Sequence, residues 1–188
     1  MFIGVDFGAQ TAGTTAICYR DHGLFKFARS EKGQEADMWL SDWVGANRPE
    51  RIYIDAPLSL PSAYFGRGDD FIFRLADRKA GGMSPMFLGG LTARAMRAAA
   101  KWRSLGIEVF EVYPSALVRH EWDFLKIPSG RAIPRHNLRL MAGMFMLPPP
   151  LPADRHEADA WLCWLTGHRH QQGISISFGD RSEGVILA

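Results

Sequence analysis

Three stretches of this sequence place a carboxylate where a core residue is expected. Met1 to Gly8 reads as a buried strand, with Phe2, Ile3 and Val5 as its apolar run and Gly8 to Thr11 as the turn that ends it, so Asp6 stands near the strand's end. Arg51 to Asp55 alternates into a second such strand, which Ala56-Pro57 stops immediately after the carboxylate of Asp55. His156-Glu157-Ala158-Asp159 opens a helix, and residues three apart on a helix share a face with Cβ atoms roughly 5–6 Å apart. His156 and Asp159 can therefore address one ion. A buried carboxylate must recover its lost hydration from hydrogen bonds or a cation. Three of them brought together repel, and a hard divalent cation such as Mg2+ or Mn2+, which prefers carboxylate and water oxygens, resolves that conflict. The chemistry that uses such a cluster is two-metal hydrolysis of a phosphodiester, with ions roughly 3.5–4 Å apart. Two plainer readings stay open: Asp6 as a cap on the Gly-rich turn, and His156 as a polar contact at a helix N-terminus. Zinc fits less well, since H-E-x-x-H would need His where Ala160 stands and the deaminase pattern P-C-x-x-C is absent.

The elements that must position these groups are legible along the chain. Thr14 to Tyr19 and Leu24 to Ala28, separated by the turn Arg20-Asp21-His22-Gly23, join the first strand in an antiparallel meander. Gln34 to Val44 has helical spacing of Met38, Trp39, Leu40, Trp43 and Val44, and Arg51 to Asp55 is the fourth strand. Pro57 to Gly90 is a long Gly- and Pro-punctuated excursion with a short helix expected from about Asp69 to Arg78. Leu91 to Leu105 is a helix, Glu108 to Tyr113 a fifth strand, and Ser115 to Trp122 a short helix. Lys126 to Pro134 reads as irregular and basic, Arg135 to Met146 as helical, and Asp154 as the cap of a last major helix from Arg155 to about Thr166. Ile174 to Phe178 and Val185 to Leu187 read as a closing hairpin. The order predicts an α/β domain spanning 1–188, with a mixed five-stranded sheet in which the first strand lies centrally beside the fourth and Asp6 neighbours Asp55.

Composition bounds the partners. With 47% hydrophobic and 22% charged residues the chain is globular, and no apolar run approaches the roughly 20 residues that span a bilayer. The start of the sequence lacks the features of a signal peptide, which sets the expectation of a cytoplasmic protein without a membrane partner. Cys18 and Cys163, with no C-x-x-C spacing, are expected as buried reduced thiols. The net charge of +2 demands no polyanion, yet Arg67 to Arg103 carries eight basic residues against three acidic ones. Arg67, Arg74, Arg94 and Arg97 from this run are candidates for phosphate contacts with DNA or RNA; a solvated helix face is the plainer reading of the run. Glu111, Glu157 and Asp70 are secondary acidic candidates, Glu111 either completing a metal shell or pairing with an arginine. Oligomeric state is not readable from the sequence.

Gly4-Val5-Asp6 before a hairpin, Ile54-Asp55-Ala56-Pro57 ending a strand, Glu111-Val112-Tyr113-Pro114, and His156-Glu157-Ala158-Asp159-Ala160 occur in this order. Together they resemble the predicted RNase H-like nucleases of domain-of-unknown-function family 429, over nearly the whole chain. The His-x-x-Asp opening the last helix is also similar to the catalytic helix of RuvC-type Holliday-junction resolvases. The resemblance implies an RNase H-like sheet, Asp6, Asp55 and Asp159 as ligands of Mg2+ or Mn2+, and His156 as a further ligand or catalytic residue. Arg67 and Asp70 loosely match an Arg-x-Cys-Asp element of the family, with Asp69 where Cys is usual. Two other functions compete. A non-catalytic nucleic-acid-binding or assembly module of the same fold would use exposed aromatics such as Phe65, Phe71 and Phe73. A nucleotide-binding phosphotransfer protein is the third reading, since Asp6 to Thr15 is similar to the phosphate hairpin of the sugar kinase, Hsp70 and actin superfamily.

Overall fold

A computed structural model describes residues 1–126 and 133–188. The expected basic segment between Lys126 and Pro134 falls largely outside the described residues. The meander forms as β1 (Phe2–Asp6), β2 (Ala16–Asp21) and β3 (Leu24–Arg29), followed by α1 (Ala36–Asn47) and β4 (Arg51–Asp55). Then come α2 (Leu75–Ala80), α3 (Pro85–Leu88), α4 (Gly90–Ser104), β5 (Glu108–Val112), α5 (Pro114–Trp122), α6 (Arg135–Met144), α7 (Arg155–Gln171), β6 (Ser177–Asp180) and β7 (Gly184–Leu187). The strands make one mixed sheet in the order β3-β2-β1-β4-β5-β7-β6, with β1, β4, β5 and β7 parallel. The sheet thus has seven strands where five were expected, because the terminal hairpin adds to the open edge of β5 through Glu111–Ile186 and Val112–Leu187.

Alternation along the strands divides the molecule into layers. Ile3, Val5, Ile52, Ile54 and Val109 face one way and pack with Leu40 and Val44 of α1 and Ala95, Ala99 and Trp102 of α4. On the other face lie Gly4 and Tyr53, under α7. A Cβ at Gly4 would collide with the backbone of Ala160 and Trp164, and one at Gly167 would enter the Tyr53 ring. Glycine at these two positions lets the helix backbone rest directly on the sheet. Trp161, Trp164 and Leu165 of α7 then fill the space against Phe25, Leu117 and Trp122, all fully or almost fully buried.

Two further expectations change in detail. The helix placed at about Asp69 to Arg78 begins only at Leu75, since the Asp70 carboxylate accepts the amides of Ile72 and Phe73 at 2.9 Å and holds a turn there. The last helix runs to Gln171, well past Thr166, because its apolar face continues across the sheet through Gly167. Cys18 and Cys163 are buried and free. Among the described residues no helix is long and apolar enough to cross a membrane.

Candidate active site

Asp6 and Asp55 end neighbouring parallel strands in direct register. Because Ile3 and Val5 of β1, and Ile52 and Ile54 of β4, point to the α1–α4 face, the intervening positions, including both aspartates, point to the α7 face. Asp159, one turn into α7, comes down over them. All three carboxylates line one cavity of about 700 Å³ at the carboxyl edge of the parallel strands. Gly82, Met83, Leu88, Tyr113, Ser115 and Arg119 also line it. This is the edge where open α/β sheets form their ligand crevices.

The electrostatics are those of a site that gathers negative charge. Burial raises the Asp55 carboxyl well above the ordinary carboxylate range, and the charges of Asp6, Asp159 and Glu111 raise it further. Asp159 is pushed up to about 6, first by burial and then by Asp6, with Arg155 acting against both. Burial also raises Asp6, offset by the hydrogen bond and charge of His156. The His156 imidazole stands 2.7 Å from Asp6, Nδ1 to Oδ2, and this contact draws its own pKa upward against partial burial. Asp159 has only a long contact with Arg155, 3.4 Å, and that arginine is half exposed. Asp55 has no cationic partner of its own among the described residues. Among the described residues no group of three or more His, Cys, Asp and Glu side chains is placed to hold a metal ion. Asp6 contacts His156 and Asp159 contacts Arg155, so an ion held by these carboxylates would compete with both contacts.

The donor set fits a hard dication. It consists of carboxylates alone, it carries mutually opposing charge, and it opens on a cavity able to hold water ligands. Asp6, Asp55 and Asp159 are the residues that would hold Mg2+ or Mn2+, with His156 beside Asp6.

The other sequence candidates separate from this group. Glu111 borders the cavity but is committed to Arg74, at 2.6 and 2.8 Å, and to the amide of Leu58 at 2.8 Å. Of the two roles open to it, arginine pairing is the one it fills. Arg74, expected to meet phosphate, is wholly buried between Glu111 and Asp77, and its guanidinium donates to Glu111, Asp77 and Ser59. It is a structural cation. Arg94 and Arg97 do not reach the cavity; both pair with Asp37 of α1, Arg94 also donating to the Gly8 carbonyl. Arg67 lies outside it as well, bonded to the Ser182 carbonyl. Glu157 accepts the amide of Ala153 at 2.7 Å and helps cap α7 beside Asp154, while Asp70 holds its turn and an ion pair with Arg78. Besides the buried Arg74, the cations that line the cavity are Arg119, Lys126 and Arg155. Sequence reading passed over them because they are scattered along the chain rather than clustered in it. The turn after β1 is internally satisfied: the amides of Gly8 and Ala9 donate to the hydroxyls of Thr15 and Thr14 at 3.1 and 3.0 Å. Those amides are not available to cradle a phosphate. Phe65 and Phe71 are exposed, and Phe73 is half-buried between the Phe87 ring and the Arg78 guanidinium.

No protein-family model matches the sequence, and a search of curated proteins returns no match.

Proposed function

We propose that the chain is a Mg2+- or Mn2+-dependent nuclease that hydrolyses phosphodiester bonds of DNA or RNA. The observation that carries this reading is the register of Asp6 with Asp55 at the ends of adjacent parallel strands, with Asp159 of α7 on the same cavity. The first five strands, in the order β3-β2-β1-β4-β5 with an antiparallel meander on one side, support an RNase H-like fold and the kinship with domain-of-unknown-function family 429. A cytoplasmic setting accords with reduced, buried thiols at Cys18 and Cys163.

When bound, the dications supply an activated water and charge stabilisation for the leaving oxygen. The chain's own residues prepare for that chemistry. Asp6, Asp55 and Asp159 supply the negative charge that selects a hard cation. His156 holds a proton against Asp6 and can release it when Asp6 turns away, which places a proton donor and acceptor beside the reacting atoms. Arg155, half exposed and weakly tied to Asp159, can donate hydrogen bonds to a phosphate oxygen instead. Arg119 adds a further cation to the wall on which the polyanion would lie, beside Lys126, which is paired with Asp123.

Incubation with branched, hybrid and single-stranded substrates is expected to give cleavage that requires Mg2+ or Mn2+ and disappears in Asp6→Asn. Cleavage that survives that substitution would count against the nuclease. Binding without turnover in any of these conditions would favour the non-catalytic module of the same fold, for which the exposed Phe65 and Phe71 rings speak.

A further inference from the structure

A second concavity of about 480 Å³ lies beyond Glu111, which borders both spaces. The segment after β4 connects them: Ala56 and Pro57 line the acidic cavity, and Leu58 and Ser59 line this one. Its walls carry three arginines from three separate parts of the chain, Arg67 of the long excursion, Arg103 of α4 and Arg181 of the β6–β7 turn, together with the rings of Phe65 and Phe110. Arg67 is steered by the Ser182 carbonyl and Arg103 by the Val109 carbonyl, each through a single Nη2 donor at 2.6 and 2.8 Å. The rest of each guanidinium fork is left for a ligand. The carboxylates nearby are already engaged. Glu111 is held by Arg74, Glu183 accepts the amides of Ser62 and Leu75, and Asp180 accepts from Ser182. Three arginines line the groove against two carboxylates, Glu111 and Glu183, and Glu111 is paired with Arg74, so positive charge is in surplus beside an exposed ring, Phe65, that is 62% accessible.

We propose that this groove holds a single nucleic-acid strand, its phosphates on Arg67, Arg103 and Arg181 and a base stacked on Phe65. Guanidinium forks match phosphate oxygens, and an exposed aromatic face beside them is what distinguishes a nucleic acid from an acidic peptide. The choice of ligand rests on the nuclease reading, with the groove acting as the grip that runs from the cleavage site along the strand.

The test is binding of a fluorescent oligonucleotide at several salt concentrations with EDTA present, so that no metal is needed. The triple change Arg67→Gln, Arg103→Gln, Arg181→Gln is expected to weaken binding at least about tenfold. It should also lower the slope of log affinity against log salt by about 2, at roughly 0.7 per single-strand phosphate contact. Phe65→Ala is expected to weaken binding several-fold with the slope unchanged. Arg181→Gln alone, whose side chain makes no hydrogen bond among the described residues, guards against misfolding and should lower the slope by less than one. Wild-type affinity and slope in the arginine variants would overturn the groove, as would no oligonucleotide binding by the wild type or equal displacement by poly-glutamate. A protein that grips oligonucleotide through these residues but never cleaves it would remove the nuclease and leave the groove. Cleavage with unaltered binding in the arginine variants would do the reverse.

Discussion

The contact between His156 and Asp6 is the most informative single pair, because each partner is shifted by the other. The imidazole pKa lies above its ordinary value mainly through the hydrogen bond to Asp6. A histidine raised in the folded state contributes stability that is complete below its unfolded pKa, about 6.5, and is lost as pH rises through the folded value. In Asp6→Asn the His156 titration, followed by NMR, should fall to about 6.5 or below; an unchanged midpoint would mean that Asp6 does not hold the ring. Asp159 shifts stability in the same direction with pH. Its carboxyl titrates at about 6 in the folded chain against 3.8 ordinarily, so between those values the native state holds more protons than the unfolded one. Metal-free protein should therefore lose stability as pH rises from about 4 to about 6, by on the order of 3 kcal/mol from this group, which is 23% exposed. Denaturant midpoints across that range should show the loss, and Asp159→Asn should flatten it. The acidic positions were legible because a charged residue interrupting an apolar strand or helix is conspicuous. Arg74 was misread because nothing in a linear run of basic residues distinguishes one that pairs with a distant Glu111 from one that faces solvent.

The close seat of α7 on β1 and β4 is what delivers Asp159 to the strand-end carboxylates. It depends on two glycines. Gly4→Ala would push a methyl group into the backbone of α7. Overpacking of this kind costs about 1–3 kcal/mol and more where only backbone can yield, which for a chain of this size lowers the melting temperature by roughly 2–4 °C per kcal/mol. Gly45→Ala in α1, where a Cβ meets nothing within 4 Å, is the control and should stabilise by about 0.5–1 kcal/mol. Equal melting temperatures for the two variants would refute the role given to Gly4. Element α2 is tied to β5 by Arg74, buried between Asp77 and Glu111. Arg74→Met leaves two carboxylates without their cation and should cost about 3–5 kcal/mol in thermal or denaturant unfolding. The strands and long helices could be read from alternation and helical spacing, and β4 falls at the expected residues. The short helices of the excursion could not, since their limits are set by side-chain caps such as Asp77 and Ser84 rather than by periodicity.

At the scale of the whole molecule, one sheet edge collects charge that the fold does not neutralise. Parallel strands β1, β4 and β5 all finish there, and α7 begins above them. The pairing of Asp6 with Asp55 was expected once β1 and β4 were taken as parallel neighbours. The terminal hairpin's place beside β5 was not, because a register between β5 and β7 leaves no trace in local pattern. Unlike charges packed for stability alone, this arrangement should gain from a ligand. Saturating Mn2+ at neutral pH should raise the melting temperature, by an amount corresponding to about 2.7 kcal/mol at a hundredfold excess over Kd, and EDTA should reverse it. The most direct measurement is anomalous diffraction at the manganese edge from a crystal soaked in Mn2+. The expected result is manganese among Asp6, Asp55 and Asp159, absent from Asp6→Asn crystals. Manganese found only elsewhere, with Asp6 still on His156 and Asp159 still on Arg155, would contradict it.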